Sequence, residues 1–295
     1  MNFWTKNEDF EQCVQIFLFA LQVALVLLGI CIVGVVTFVF LRPTPWASGT
    51  DTAAASTPIQ TFISALQLML TPDMLLLFIT FAYTGLALTF WSGVYGTCIG
   101  FTEAFGDKRK SYVGLHGIFV GLGEIIGGFA FGIMGKYVAR YGRHLPVSLG
   151  FLVNGGAYLI AYLNLPADAP RHETSNEAII KSNIYLALFG SFMLGLGDAC
   201  YNTQVFSFLG SVYKDDSAAG FAIFKFAQSA FAAAAFFYSN EIDLTWQLLF
   251  LAILCVLGTC TFCFVELKVR SRERNPYLVG GDSPEQNTTA EVDNR

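Results

Sequence analysis

Three ionisable side chains, Glu124, Asp198 and Lys225, stand inside long apolar runs of this sequence. Charge at bilayer depth costs about 2.5–3.5 kcal/mol even on the lenient insertion scale, so such groups pair, move an ion or carry a proton. Asp198 is the candidate for coupling or for lining a cavity. Asn202 follows it at i+4, on the same helical face. The structural alternative is an Asp hydrogen-bonded to a turn broken near Gly195 and Gly197. At a rise of 1.5 Å per residue, Lys225 lies about 12 Å from one membrane face, Glu124 about 17 Å and Asp198 about 22 Å. A lysine stem bridges only the first gap, so depth predicts an intramembrane Glu124–Lys225 ion pair, provided the helices are adjacent.

A second cluster is GKYVARYGRH, residues 135–144, where an apolar run ends. Gly135, Arg140, Gly142 and Arg143 fit G-x-x-x-x-R-x-G-R. Gly135 would let helices approach closely, and Gly142 would permit a tight turn. Arg140 and Arg143 offer fork-shaped donors to carboxylates or to helix C-termini. The alternative is that both arginines are only charged anchors at the membrane edge. Ala139-Arg140-Tyr141 also invites comparison with the acidic-Arg-Tyr triplet of seven-helix receptors. That reading is remote, because the acid is missing and the last three apolar runs contain no proline.

Helices must hold these residues. Of 295 residues, 54% are hydrophobic and 13% charged, about half the charge of a soluble domain. Such a surface calls for lipid as the solvent. Seven apolar runs are long enough to span as helices: 13–41, 74–97, 113–135, 145–165, 184–213, 218–239 and 246–265. The fold class is thus an all-α polytopic membrane protein. The chain divides into a first helix (1–41), a linker (42–73), a six-helix bundle (74–265) and a polar, disordered tail (266–295). The linker carries a short amphipathic helix over 59–70, lying at the interface.

Lys and Arg at 42, 136, 140, 143, 214, 268, 270, 272 and 274 fall on one side, against 6, 108, 109, 110, 171 and 181 on the other. The bias places the C-terminus and the 135–144 loop in the cytoplasm. Asn287-Thr288-Thr289, a glycosylation sequon, falls on that side and is discounted. The seven cysteines lie in or beside apolar runs and form no disulfide framework; Cys260-x-x-Cys263 lacks His or acid partners for a metal. No nucleophile–base pair, phosphate loop or metal cluster is present, so neither an enzyme nor a cofactor is expected. No basic surface suits nucleic acid.

Phe90-Trp91-Ser92-Gly93-Val94-Tyr95-Gly96-Thr97-Cys98-Ile99-Gly100, Gly121 to Gly128, Leu194 to Gln204 and Phe224-Lys225-Phe226 occur in order. Together with the Gly135–Arg143 pattern they resemble the UNC93-like branch of the major facilitator superfamily over roughly residues 59–265. Ala139 departs from that pattern, which has Asp before the first Arg. The resemblance implies that the last six runs form one six-helix half of a carrier fold, with the first run equivalent to helix six. It implies a secondary transporter, seen as a partial chain, whose partners are the bilayer and a small solute or ion. The alternative is a non-transporting adaptor acting on another membrane protein, a channel or a trafficking receptor. Plasma and endosomal or lysosomal membranes are equally open.

Overall fold

The computed structural model describes residues 21–22, 24–37, 39–40, 58–214 and 216–274. Nearly all of these are helical; the one β feature among them is a bridge between Thr102 and Thr174. Two units are present, Met1–Ser56 and Thr57–Arg295. The first contains α1, Ala24–Thr37, an apolar helix shorter than a full span. Residues 13–20 and 41 of the expected first span lie outside the described residues, as do 42–57 of the linker, the tail from 275, and the sequon.

The second unit begins with α2 (Pro58–Met69) and α3 (Pro72–Thr89). A π-helical turn, Phe90–Val94, joins α3 to α4 (Tyr95–Phe101). Then follow α5 (Arg109–Ile133), α6 (Gly135–Tyr141), α7 (His144–Asn164), α8 (Ile184–Val212), α9 (Ser217–Ser239) and α10 (Leu244–Arg274). Six segments are long and apolar enough to cross a bilayer: Pro72–Phe101, α5, α7, α8, α9 and Leu244–Arg272. The protein is a polytopic all-α membrane protein. In lipid each backbone N–H and C=O must be satisfied within the chain, and helices do so segment by segment.

Local chemistry sets the boundaries. Pro72 opens α3, where its missing N–H costs nothing. Asn183 caps α8, its side chain accepting from the amides of Tyr185 (2.9 Å) and Leu186 (3.4 Å). Asn164 at the end of α7 clamps the same residue, donating to Asn183 O and accepting from Asn183 N. Gly142, at φ +115°, ends α6 in a region that disfavours side chains.

The core sits where α8 meets its neighbours. α5 and α7 pack on α8, while α3 packs on α9 and α10. α5 and α8 touch backbone to backbone. A Cβ on Gly123 would strike Phe192 O and Leu196 N, and one on Gly195 would strike Val120. Large aromatics, among them Tyr83, Tyr95, Tyr201 and Phe81, are fully buried around this junction.

One expectation needs revision. α10 does not stop at 265 but runs to Arg274, and Glu266 within it is buried at 1% exposure. A helix already hydrogen-bonded continues while charge can be paired, and its last turns find partners below. α2 turns Ala65, Leu68 and Met69 toward the bundle and leaves Phe62, Ile63 and Leu66 exposed.

Candidate functional site

The site is built on the π turn. The wider i→i+5 spacing frees a backbone carbonyl that an α-helix would use. Trp91 O, within this turn, accepts from His116 Nε2 at 2.8 Å. A carbonyl only accepts, so Nε2 carries the hydrogen. His116 Nδ1 lies 2.8 Å from Ser191 Oγ on α8. The buried His116 thus ties α5 to the π turn and to α8.

The same turn aims the Trp91 side chain at α8. Its indole N–H donates to Asp198 Oδ1 at 3.3 Å. Asn202 Nδ2 donates to Asp198 Oδ2 at 2.8 Å, so the two share a face as their spacing requires. Asn202 Oδ1 accepts from Gln228 Nε2 at 3.3 Å, and Gln228 Oε1 accepts from Lys225 Nζ at 2.8 Å. The Lys225 ammonium also stands 5.0 Å and 4.9 Å from the ring centres of Phe206 and Phe224. A relay of donors therefore runs from Lys225 through Gln228 and Asn202 to Asp198. Both Asp198 oxygens are held by neutral donors, and no cation pairs with it among the described residues.

The Glu124–Lys225 ion pair does not form. Lys225 turns to Gln228 and its aromatic neighbours, and Glu124 makes no hydrogen bond or ion pair among the described residues. Helix adjacency is the failed assumption. α5 packs on α8, whereas α9 packs chiefly on α3 and α2. Asp198 lies within Coulombic reach of both Glu124 and Lys225.

Beside the π turn a cavity of about 560 Å³ opens between α4 and α5, lined by Trp91, Thr97, Val113, His116 and Val120 among others. No group of three or more His, Cys, Asp or Glu that could hold a metal ion occurs among the described residues.

The 135–144 loop meets α10. Arg143 donates its backbone N–H to Glu266 Oε1 at 3.0 Å and Nη1 to Oε2 at 3.2 Å. Its Nε reaches Ser207 on α8 at 3.1 Å, and Nη2 reaches Ser211. Arg270 closes the clasp from behind, donating to Arg140 O at 2.8 Å. Lys268 and Arg272 both bind Asp73 at the start of α3. Glu266, one helix away, gives Arg143 the carboxylate that Ala139 cannot. Arg140 differs from expectation: its guanidinium rests 5.6 Å from the Tyr141 ring and pairs with no carboxylate among the described residues. Gly135 differs too, since among the described residues nothing lies within 4 Å of where its Cβ would stand.

The structure adds roles for Trp91, His116, Gln228 and Glu266 that their sequence positions alone do not carry. Gln228 and His116 are polar residues inside apolar runs, a signal that was present. The π turn has no such signal.

The sequence model of the family described as ion channel regulatory protein UNC-93 matches residues 3–264. A UNC93-like protein MFSD11 from Xenopus tropicalis is 51% identical over 233 residues, covering 77% of this chain and 52% of its own. Its counterpart from Xenopus laevis is 53% identical over 220 residues, covering 74% and 49%. The chain spans about half the length of these curated relatives. No solved structure matches it.

Proposed function

This chain belongs to the UNC-93 family, and from that premise we propose that it forms one six-helix half of a secondary transporter coupled through Asp198. The observation that supports this is the handling of Asp198. A carboxylate locked to a fixed cation would be neutralised permanently. Here both oxygens take neutral donors from α8 and the π turn, and the nearest ammonium is two side chains away. Such a group can bind and release a proton or a small cation without breaking an ion pair. A carrier site of this kind lies between two halves that rock about it, and the matched part of this chain covers only about half of each relative. The basic loop end of the bundle, with the 135–144 turn and the end of α10, is read as cytoplasmic from the Lys and Arg bias.

The test is proton movement in proteoliposomes containing a full-length relative, followed with an internal pH dye. The reading predicts acidification above that of empty vesicles when an inward proton gradient and a solute mixture are applied. Fluxes indistinguishable from empty vesicles would count against transport. That outcome would favour a second reading, supported by the family's description: a membrane protein that regulates an ion channel and moves no solute itself.

A further inference from the structure

We propose that the carrier's solute is an anion, received at Lys225 when a proton loads Asp198. The inference rests on the reading of Asp198 as the coupling group and adds what moves with the proton.

Every donor in the relay points toward Asp198. Lys225 Nζ donates to Gln228 Oε1, Gln228 Nε2 to Asn202 Oδ1, and Asn202 Nδ2 to Asp198 Oδ2. That order suits a carboxylate, which only accepts. From the other side the Trp91 indole donates to Asp198 Oδ1. An indole N–H has no acceptor to offer, so Oδ1 must go on accepting. A proton that loads Asp198 therefore settles on Oδ2, facing the Asn202 amide. It arrives from the aqueous phase, forms the Oδ2–H bond and breaks no bond in the protein.

The new O–H needs an acceptor, and Asn202 supplies one only by turning its amide over. Turning gives up the contact of Nδ2 with Asp198 O at 3.2 Å, which holds the amide in place until the proton arrives. Asn202 then shows an N–H to Gln228. Gln228 must answer with its oxygen, and its own N–H swings toward Lys225. An ammonium has donors and no acceptor, so Lys225 is released. Gln228 cannot step aside instead. It is buried, and its backbone is wedged against α3, where a Cβ on Gly85 would strike Gln228 O.

The faces of Phe206 and Phe224 stay beside the released ammonium but carry no net charge to neutralise it. A charge alone at that depth is costly. The titratable groups around Asp198 are Glu124 from α5, Tyr158 from α7, Cys200 on α8 and Lys225 from α9. Glu124 is the other acid of that set, but it stands on α5, and α9 packs chiefly on α3 and α2. In the carrier reading Asp198 faces the site between the halves, so the anion that meets Lys225 there is the solute. Proton and anion then favour each other's binding, the condition for symport.

The test measures equilibrium binding to the whole chain in nanodiscs. No flux is read, so the result can fail while transport holds, and hold while transport fails. The probes are benzoate and methanesulfonate, with benzamide as the uncharged counterpart of benzoate. Anion binding should tighten about tenfold for each unit of falling pH above the titration of Asp198, the slope for one proton per anion. Asp198→Asn mimics the loaded carboxyl, accepting from Trp91 and donating to Asn202; binding should persist and lose its pH dependence. Gln228→Met cuts the relay, and should keep binding but flatten the slope. Lys225→Gln should abolish binding and Lys225→Arg retain it, with helical circular dichroism unchanged in both. No anion binding, equal binding of benzamide, a flat wild-type slope, or a slope that survives Gln228→Met through the anion's charge alone would each overturn the proposal.

Discussion

The guanidinium and backbone N–H of Arg143 together grip both oxygens of Glu266, at 3.2 Å and 3.0 Å, joining the loop before α7 to the end of α10. Glu266 is 1% exposed. Removing the partner of a buried charge costs about 3–5 kcal/mol, because the remaining ion stays desolvated. Arg143→Ala should therefore sharply lower the thermal unfolding temperature in detergent. Arg143→Lys should recover only part, since an ammonium cannot reproduce the fork to Glu266, Ser207 and Ser211. Arg140→Ala should be nearly neutral. Equal losses at the two arginines would show that both act as general anchors.

His116→Leu should destabilise through a different mechanism. The side chain keeps its volume approximately, but Trp91 O loses its side-chain donor among the described residues. A buried acceptor left unmade costs about 1–3 kcal/mol. The π turn is then free to relax to α, which would swing Trp91 from Asp198. Trp fluorescence and unfolding temperature should change together; an unfolding change with unaltered fluorescence would detach His116 from the geometry of the turn.

The loop between α7 and α8 should be sensitive to acid. Burial alone would raise Asp168, but donors on Thr174 and Asn176, with His172 nearby, hold its carboxyl below the usual value. A group depressed in the folded state stabilises above its unfolded pKa, and that stabilisation is lost as pH falls through the folded one. Hydrogen exchange around Asn176, corrected for intrinsic rates, should quicken only below the ordinary carboxylate range. Asp168→Asn should abolish that step. Unchanged loop protection across the acid range would contradict it.

Much of the architecture was legible in the sequence for one reason: a spanning helix announces itself by about 20 apolar residues, and six such segments stand where the runs lie. The site was legible only in part. Asp198 and Asn202 are local partners, four residues apart, and helical periodicity brings them together. Glu124 and Lys225 required knowing which helices are neighbours, and run lengths carry no such information. Glu266 was hidden because a charged residue after an apolar run reads as the start of a tail; only its pairing with Arg143 shows that the helix continues. The π turn at Phe90–Val94 was illegible, because neither composition nor apolar spacing marks it.

The measurement that tests the central claim most directly is proton uptake by full-length protein in proteoliposomes, across external pH, for the wild type and Asp198→Asn. Asparagine keeps the size and can still accept from Trp91, but it cannot exchange a proton. The account predicts that the pH dependence of uptake disappears in Asp198→Asn while Asn202→Ala, which leaves the carboxyl in place, only shifts it. A normal pH dependence in Asp198→Asn would contradict the account and leave Asp198 as a structural carboxylate.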